Sequence, residues 1–306
     1  MNRIIGDYGK GNERLLICTA GMHGNEPEGV YALQRVFEYL ENFSLQKFHG
    51  RFIGIRGNIK ALKEGKRYLK QDLNRVFSEE NVSNVRRKIT NDHPELKELE
   101  DIIETVESIG ISKYSQKYFL DLHATSGENG IFLITPFDEI PSHSDLISRL
   151  NSPKILNISS LLKDTSVPFM KHHGFYSFGF EGGKIGNMTT VQNHIALVWQ
   201  VLAKAGFLAE KFEPHEVKEY KALESFAQGL PSYLRLTYRH SIKEEDEFRM
   251  IQGFENFSYV KKGDLLAFDK KGEVLAPQEG YLLMPLYQKT GSDGFFMAVS
   301  VLQNAF

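Results

Sequence analysis

Two histidines stand at the ends of two apolar stretches, each in a turn rich in small and polar residues. His23 lies in Gly21-Met22-His23-Gly24-Asn25-Glu26, after the run Leu15 to Ala20, and His123 lies in Asp121-Leu122-His123-Ala124-Thr125-Ser126-Gly127, after Tyr118. His23, Glu26 and the distant His123 make a set of two imidazoles and one carboxylate. A catalytic zinc uses this donor count while keeping a fourth position open. Such a cation supplies both an electrophile and an activated water, which is the chemistry of hydrolysis. Zinc best matches two nitrogens and one oxygen, although spacing alone admits other divalent ions. A lone His-x-x-Glu is a weak signal. A second strand-terminal histidine strengthens it, because Asp121 suits a hydrogen-bond partner for a ligating imidazole or a charge-balancing group.

Two further groups could complete a reaction centre. Lys66 to Phe77 is dense in basic and amide side chains. Arg75 presents a planar fork that grips a carboxylate through two parallel hydrogen bonds, and Asn74 can add a third. Arg67 could polarise a carbonyl and stabilise the oxyanion that develops on it. A surface ion pair of Arg75 with Asp72 or Glu79 is the competing reading. In Phe178-Gly179-Phe180-Glu181-Gly182-Gly183-Lys184 one acidic residue ends an aromatic stretch. Enclosure by apolar neighbours raises a glutamate pKa toward neutrality, as a general base needs. A plain ion pair of Glu181 with Lys184 or Lys171 is the ordinary alternative. His172 and His173 are adjacent and would diverge if extended, so a surface or substrate-facing role suits them better than ligation.

These side chains need a frame. Leu15 to Ala20 reads as a buried strand stopped by Gly21, and a helix follows with Pro27 in its first turn and Val30, Leu33, Val36, Phe37 and Leu40 on one face. Strands are expected at Phe52 to Ile55, Tyr118 to Leu122, Ile131 to Thr135, Lys154 to Ile158 and Tyr176 to Phe180. Helices are expected from about Asp92, with Pro94 near the start, and from Thr190 to Leu208. The charge-rich stretch Glu79 to Glu107 reads as a solvated helix face with its approach loop. This alternation implies an α/β fold, a largely parallel sheet flanked by helices. After Phe212-Glu213-Pro214 the texture becomes all-β, with strands at Ser232 to Arg239, Gly263 to Phe268, Glu273 to Leu275, Gly280 to Leu286 and Phe295 to Leu302. Two domains are therefore expected, 1–212 and 213–306. Open α/β sheets bind ligands at the carboxyl edge of their strands, where His23 and His123 both fall.

The composition is that of an ordinary globular chain, with 306 residues, 41% hydrophobic and 25% charged. A net charge of -2 gives no reason to expect nucleic acid or an anionic membrane as partner. No apolar run is long enough for a membrane span, and Arg3 and Asp7 interrupt any signal-peptide core. The single cysteine, Cys18, lies inside an apolar run and reads as a buried thiol. A reducing, cytoplasmic setting is expected. A homo-oligomer is left open.

The ordered motifs Gly21-Met22-His23-Gly24-Asn25-Glu26, Gly57-Asn58, Arg67-Tyr68 through Asp72-Leu73-Asn74-Arg75, Asp121-Leu122-His123 and Glu181-Gly182-Gly183 resemble those of the succinylglutamate desuccinylase/aspartoacylase family, related to the zinc carboxypeptidases. The resemblance implies a zinc-carboxypeptidase-like mixed sheet with a small β domain that narrows the mouth of the site. It implies one zinc per chain held by His23, Glu26 and His123, with Glu181 as the catalytic carboxylate. It implies Arg67 near the scissile carbonyl, Asn74 and Arg75 on a substrate carboxylate, and hydrolysis of a small N-acyl amino acid. A metallocarboxypeptidase with an open groove, or a metal-stabilised metabolite-binding protein, are the alternatives. Two departures stand out. The arginine that aspartoacylases place ten residues before the catalytic glutamate, to hold a second substrate carboxylate, is Lys171 here. The tail tyrosine they use has only Tyr287 as a candidate. The loop from Ala124 to Gly130 also differs from the family's usual form.

Overall fold

The computed structural model describes residues 1–42, 45–90, 92–142, 144–209, 223 and 226–301. The chain runs through β1 (Ile4–Tyr8), β2 (Arg14–Ala20), α1 (Glu28–Glu41), β3 (Arg51–Arg56), α2 (Ile59–Glu64), α3 (Glu79–Arg86) and α4 (Pro94–Ser108). It continues through β4 (Gln116–Thr125), β5 (Ile131–Ile134), β6 (Lys154–Leu156), α5 (Ile158–Leu161), α6 (Ser166–His172), β7 (Tyr176–Lys184) and α7 (Met188–Lys204). The C-terminal part adds β8 (Tyr233–Ser241), β9 (Arg249–Met250), β10 (Tyr259–Val260), β11 (Leu265–Asp269), β12 (Gly272–Leu275), β13 (Gly280–Leu283) and β14 (Asp293–Ser300).

An eleven-stranded sheet has the order β1-β3-β2-β4-β7-β5-β6-β8-β14-β13-β10, and β12-β11-β9 form a second, small sheet. The strands β3, β2, β4 and β7 pair in parallel. Side chains alternate faces along a strand, so Leu16 and Cys18 of β2, Leu120 and Leu122 of β4, and Phe178 and Phe180 of β7 pack beneath α1 and α7. Leu15 and Ile17, with Phe119, turn the other way and meet Val106 of α4 and Met170 of α6. Cover on both faces is why these strands read as unbroken apolar runs. The expected apolar stripe of α1 is buried throughout, from Val30 to Leu40. The Cys18 thiol is fully buried, and burial, then the nearby Asp121 charge, push its pKa well up, so it is an inert core group.

Four short helices, α2, α3, α5 and α6, escaped the periodicity reading because they are too short to show a stripe, and three of them bear on the site or its frame. α2 is capped by the Asn58 side chain on the Ala61 N–H at 3.0 Å, and α3 by Ser78 on the Asn81 N–H at 3.3 Å. The third is α6, which ends at His172, so His172 and His173 sit at a helix terminus and not in extended chain. Lys154 to Ile158 is not one strand. Asn157, at φ 70°, turns the chain and Ile158 opens α5.

The C-terminal strands are antiparallel among themselves, and β8 joins the main sheet by parallel pairing with β6. The expected boundary between Phe212 and Glu213, and Leu302, lie outside the described residues. No helix among the described residues is long and apolar enough to cross a membrane.

Candidate active site

The carboxyl ends of β2, β4 and β7 lie side by side, and together they deliver four groups to one place: His23 and Glu26 past β2, His123 on β4 and Glu181 on β7. Past β2, the turn bearing His23 and Glu26 is closed by a Glu26 N–H to His23 carbonyl bond of 3.1 Å. Gly24 lets this turn lie against α2, since a Cβ there would fall 2.1 Å from the Ala61 carbonyl carbon. The Gly24 N–H donates to the Arg67 carbonyl at 3.1 Å, tying the turn to the segment that carries Arg67. On β4, Asp121 and His123 share a face, and the parallel register sets His123 beside Glu181 of β7.

His23, Glu26 and His123 are all buried, and one ligand atom from each lies within 4.8 Å of the others. Both Nδ1 atoms face the Glu26 carboxylate, His23 at 2.8 Å from Oε1 and His123 at 3.1 Å from Oε2. Both Nε2 atoms face an aspartate, His23 at 2.9 Å from Asp72 and His123 at 3.1 Å from Asp121. Asp121 also accepts from the Thr19 hydroxyl at 2.6 Å and from the Ser166 hydroxyl. Burial alone would raise the pKa of Glu26 and Asp72. The adjacent imidazoles, with Arg67 beside Asp72, hold both carboxyls well below their usual range.

This donor set fits a divalent cation. One nitrogen of each ring and a carboxylate oxygen converge, while the opposite ring nitrogens are held by carboxylates that fix tautomer and orientation. Asp121→Asn is expected to weaken zinc affinity by about 10–100-fold. A competition titration against a chromophoric chelator measures it, and an unchanged affinity would show that the ring needs no anionic partner.

Glu181 is buried beside this cluster, and its Oε2 has no hydrogen-bond partner. Burial, reinforced by the charge of Glu26, pushes its pKa up to about 7 against the pull of the two histidines and Arg67. It pairs with neither lysine considered for it. Lys184 binds Glu128, and the Lys171 Nζ lies 3.5 Å from the Pro136 carbonyl and 5.2 Å from the Phe137 ring centre. Arg67 donates to Glu26 at 3.1 Å and to Asp72 at 3.2 Å. Arg67, Asn74, Arg75 and Glu181 join the His23–Glu26–His123 cluster in lining one cavity of about 120 Å³. Tail residues Met284, Leu286, Gln288 and Gly291 to Asp293 line it as well.

A family model described as Succinylglutamate desuccinylase/Aspartoacylase catalytic domain matches residues 12–201. The chain belongs to the succinylglutamate desuccinylase/aspartoacylase family. A succinylglutamate desuccinylase of Pseudomonas fluorescens (strain SBW25) is 27% identical over 263 residues, covering 83% of this chain and 72% of that protein. In fold, the chain resembles a succinylglutamate desuccinylase/aspartoacylase from Rhodobacter sphaeroides with a TM-score of 0.67 at 14% identity, over 98% of this chain and 88% of that one. Murine aminoacylase 3 gives a TM-score of 0.61 at 18% identity, over 95% and 96% of the two chains.

Two side chains stand away from where the family resemblance puts them, and a third, Asn74, reaches the cavity already engaged. Lys171 is absent from the cavity lining, because it leaves α6 toward Pro136 and Phe137. The Tyr287 hydroxyl is spent inside the tail, donating toward the Ile251 and Phe254 carbonyls at 2.9 and 2.8 Å. Asn74 reaches the cavity, but its Oδ1 already accepts from the Ser166 N–H at 2.9 Å and its Nδ2 lies 3.2 Å from His123 Nε2. His172 is exposed, and the His173 Nδ1 meets the Phe169 carbonyl at 2.9 Å.

Two residues escaped the sequence reading. Asp72, weighed only as a partner for Arg75, instead holds His23 and Arg67. Arg75 pairs at 2.6 Å with Asp293 at the start of β14, and Asp293 also accepts from Arg239 of β8 at 2.5 Å. The Asp72 spacing within the Arg67–Arg75 segment was a usable signal. For Asp293, 218 positions from Arg75, there was none.

Proposed function

We propose that this chain is a zinc-dependent amidohydrolase that removes the acyl group from a small N-acyl amino acid. The observation carrying this reading is the convergence of both imidazole Nδ1 atoms on Glu26, with Glu181 in register beside His123 and its Oε2 unpartnered. Zinc held by His23, Glu26 and His123, one ion per chain, supplies the electrophile and the acidified water that amide hydrolysis needs. Glu181 takes a proton from the attacking water at its carboxylate and hands it to the departing amine nitrogen. Arg67 stabilises the negative charge that develops on the acyl oxygen. Arg75, with Asn74 beside it, holds the substrate carboxylate and so keeps the carbonyl at attack distance. Tail residues over the cavity support a small substrate rather than a peptide lying along an open groove. A cytoplasmic setting accords with the lone buried thiol.

The test is a hydrolysis screen of N-acyl amino acids and short peptides with zinc-loaded protein, repeated after chelation and after zinc is restored. N-acyl cleavage that stops and returns with the metal is expected, and activity that survives complete metal removal overturns the proposal. The pH profile is a second check. Glu181 must be ionised to accept a proton, and its pKa near 7 in the metal-free protein is lowered further by a cation alongside. The rate kcat/KM should therefore fall about tenfold per pH unit on an acid limb at or below pH 7. A profile flat down to pH 4 would remove Glu181 as the base.

A further inference from the structure

Resting on the deacylase reading above, we propose that the substrate carries a single carboxylate and an otherwise apolar arm, so that N-acyl derivatives of apolar amino acids are preferred to N-acyl dicarboxylates. Among the described residues lining the cavity, Arg67 and Arg75 are the only lysine or arginine side chains. Arg67, held by Glu26 and Asp72 beside the metal-ligand cluster, is the group assigned above to the acyl oxygen and not to a substrate carboxylate. Arg75 shares Asp293 with Arg239, and two guanidiniums with one carboxylate leave one unit of positive charge, enough for one substrate carboxylate. The Arg75 Nε is buried without a partner.

Among the described residues, no third lysine or arginine lines the cavity. Val167 of α6 lines it, while Lys171, one turn further along, points its Nζ away to the Pro136 carbonyl and the Phe137 ring. The wall there is formed mainly by Ile134, Ile158, Leu162, Val167 and Phe296, side chains from β5, α5 and its exit, α6 and β14, with Thr165 as an uncharged polar member. A second carboxylate against this wall would lose its water without gaining a cationic partner. A methyl-bearing arm loses nothing and buries its surface. The arm is an amino-acid side chain or an acyl chain, and both present the same chemistry to the wall.

The test compares kcat/KM of the zinc-loaded, full-length chain for N-acetyl-L-leucine against N-acetyl-L-aspartate, and for N-hexanoylglycine against N-succinylglycine. The first pair varies the side chain and the second the acyl chain. In at least one pair the apolar compound should be favoured on the order of 100-fold. Equal rates in both pairs, or a preference for the dicarboxylates, overturn the proposal. Leu162→Arg puts a cation on the wall and should reduce the preference at least tenfold. An unchanged ratio would show that the arm lies elsewhere, and the proposal falls. Calorimetric titration of zinc-loaded Glu181→Gln with the same four compounds reads binding without turnover. Tighter binding of the apolar compounds, with no cleavage by the wild-type chain, would refute the deacylase reading while upholding the apolar arm. Equal affinities would refute the apolar arm even if hydrolysis occurs.

Discussion

Glu181→Gln is expected to lower kcat by about 10³-fold while leaving ligand binding nearly intact. The amide keeps the shape of the carboxylate but cannot accept a proton from water or return one to the leaving nitrogen. The substitution breaks no internal contact at Oε2, which has no partner to lose. Stability should not suffer either. A carboxyl whose folded pKa is raised above its unfolded value destabilises the native state above the unfolded pKa, so removing it is neutral or stabilising at pH 7. Steady-state kinetics, calorimetry and thermal unfolding on one preparation check all three points. A fall in kcat of less than tenfold would place the base on another side chain.

The second large effect concerns His123→Ala, which should abolish zinc uptake and, with it, turnover. The ring stands between Glu26 and Asp121, so its loss also leaves two buried carboxylates without their shared partner. Losing one member of a buried charged pair costs about 3–5 kcal/mol, and the metal-free variant should unfold at a correspondingly lower temperature. Zinc at 100 times its Kd should stabilise the wild-type chain by about 2.7 kcal/mol through mass action, and the variant should show no such shift. Metal analysis together with unfolding curves with and without zinc reads the result. One tightly held zinc per variant chain would mean that His123 is not a ligand.

The frame of this site could be read from residue order because its strands are covered on both faces. Leu15 to Ala20, Tyr118 to Leu122 and Tyr176 to Phe180 lie within β2, β4 and β7, but β4 runs on to Thr125 and β7 to Lys184, so His123 and Glu181 stand inside their strands and not in turns after them. His23, His123 and Glu181 fall at the ends of those runs, so parallel register brings them together. Short helices were invisible, since six residues in α2 and seven in α6 do not complete two turns of a stripe. Side-chain direction was invisible too. Counting ten positions back from Glu181 finds Lys171, but not that its Nζ turns to the Pro136 carbonyl and the Phe137 ring and does not line the cavity. Long-range pairing was the remaining gap. Nothing near Arg75 announces Asp293, which is met only because β14 reaches the cavity through β8 and β6.

That continuity has a consequence for how the molecule comes apart. Hydrogen bonds run without a break from the strand before His23 to the strand that begins with Asp293. The strands that frame the cavity therefore cannot swing apart on a hinge without breaking a ladder shared with the reaction centre. A chain cut after α7 would expose the outer edge of β6 as a sticky template for other chains.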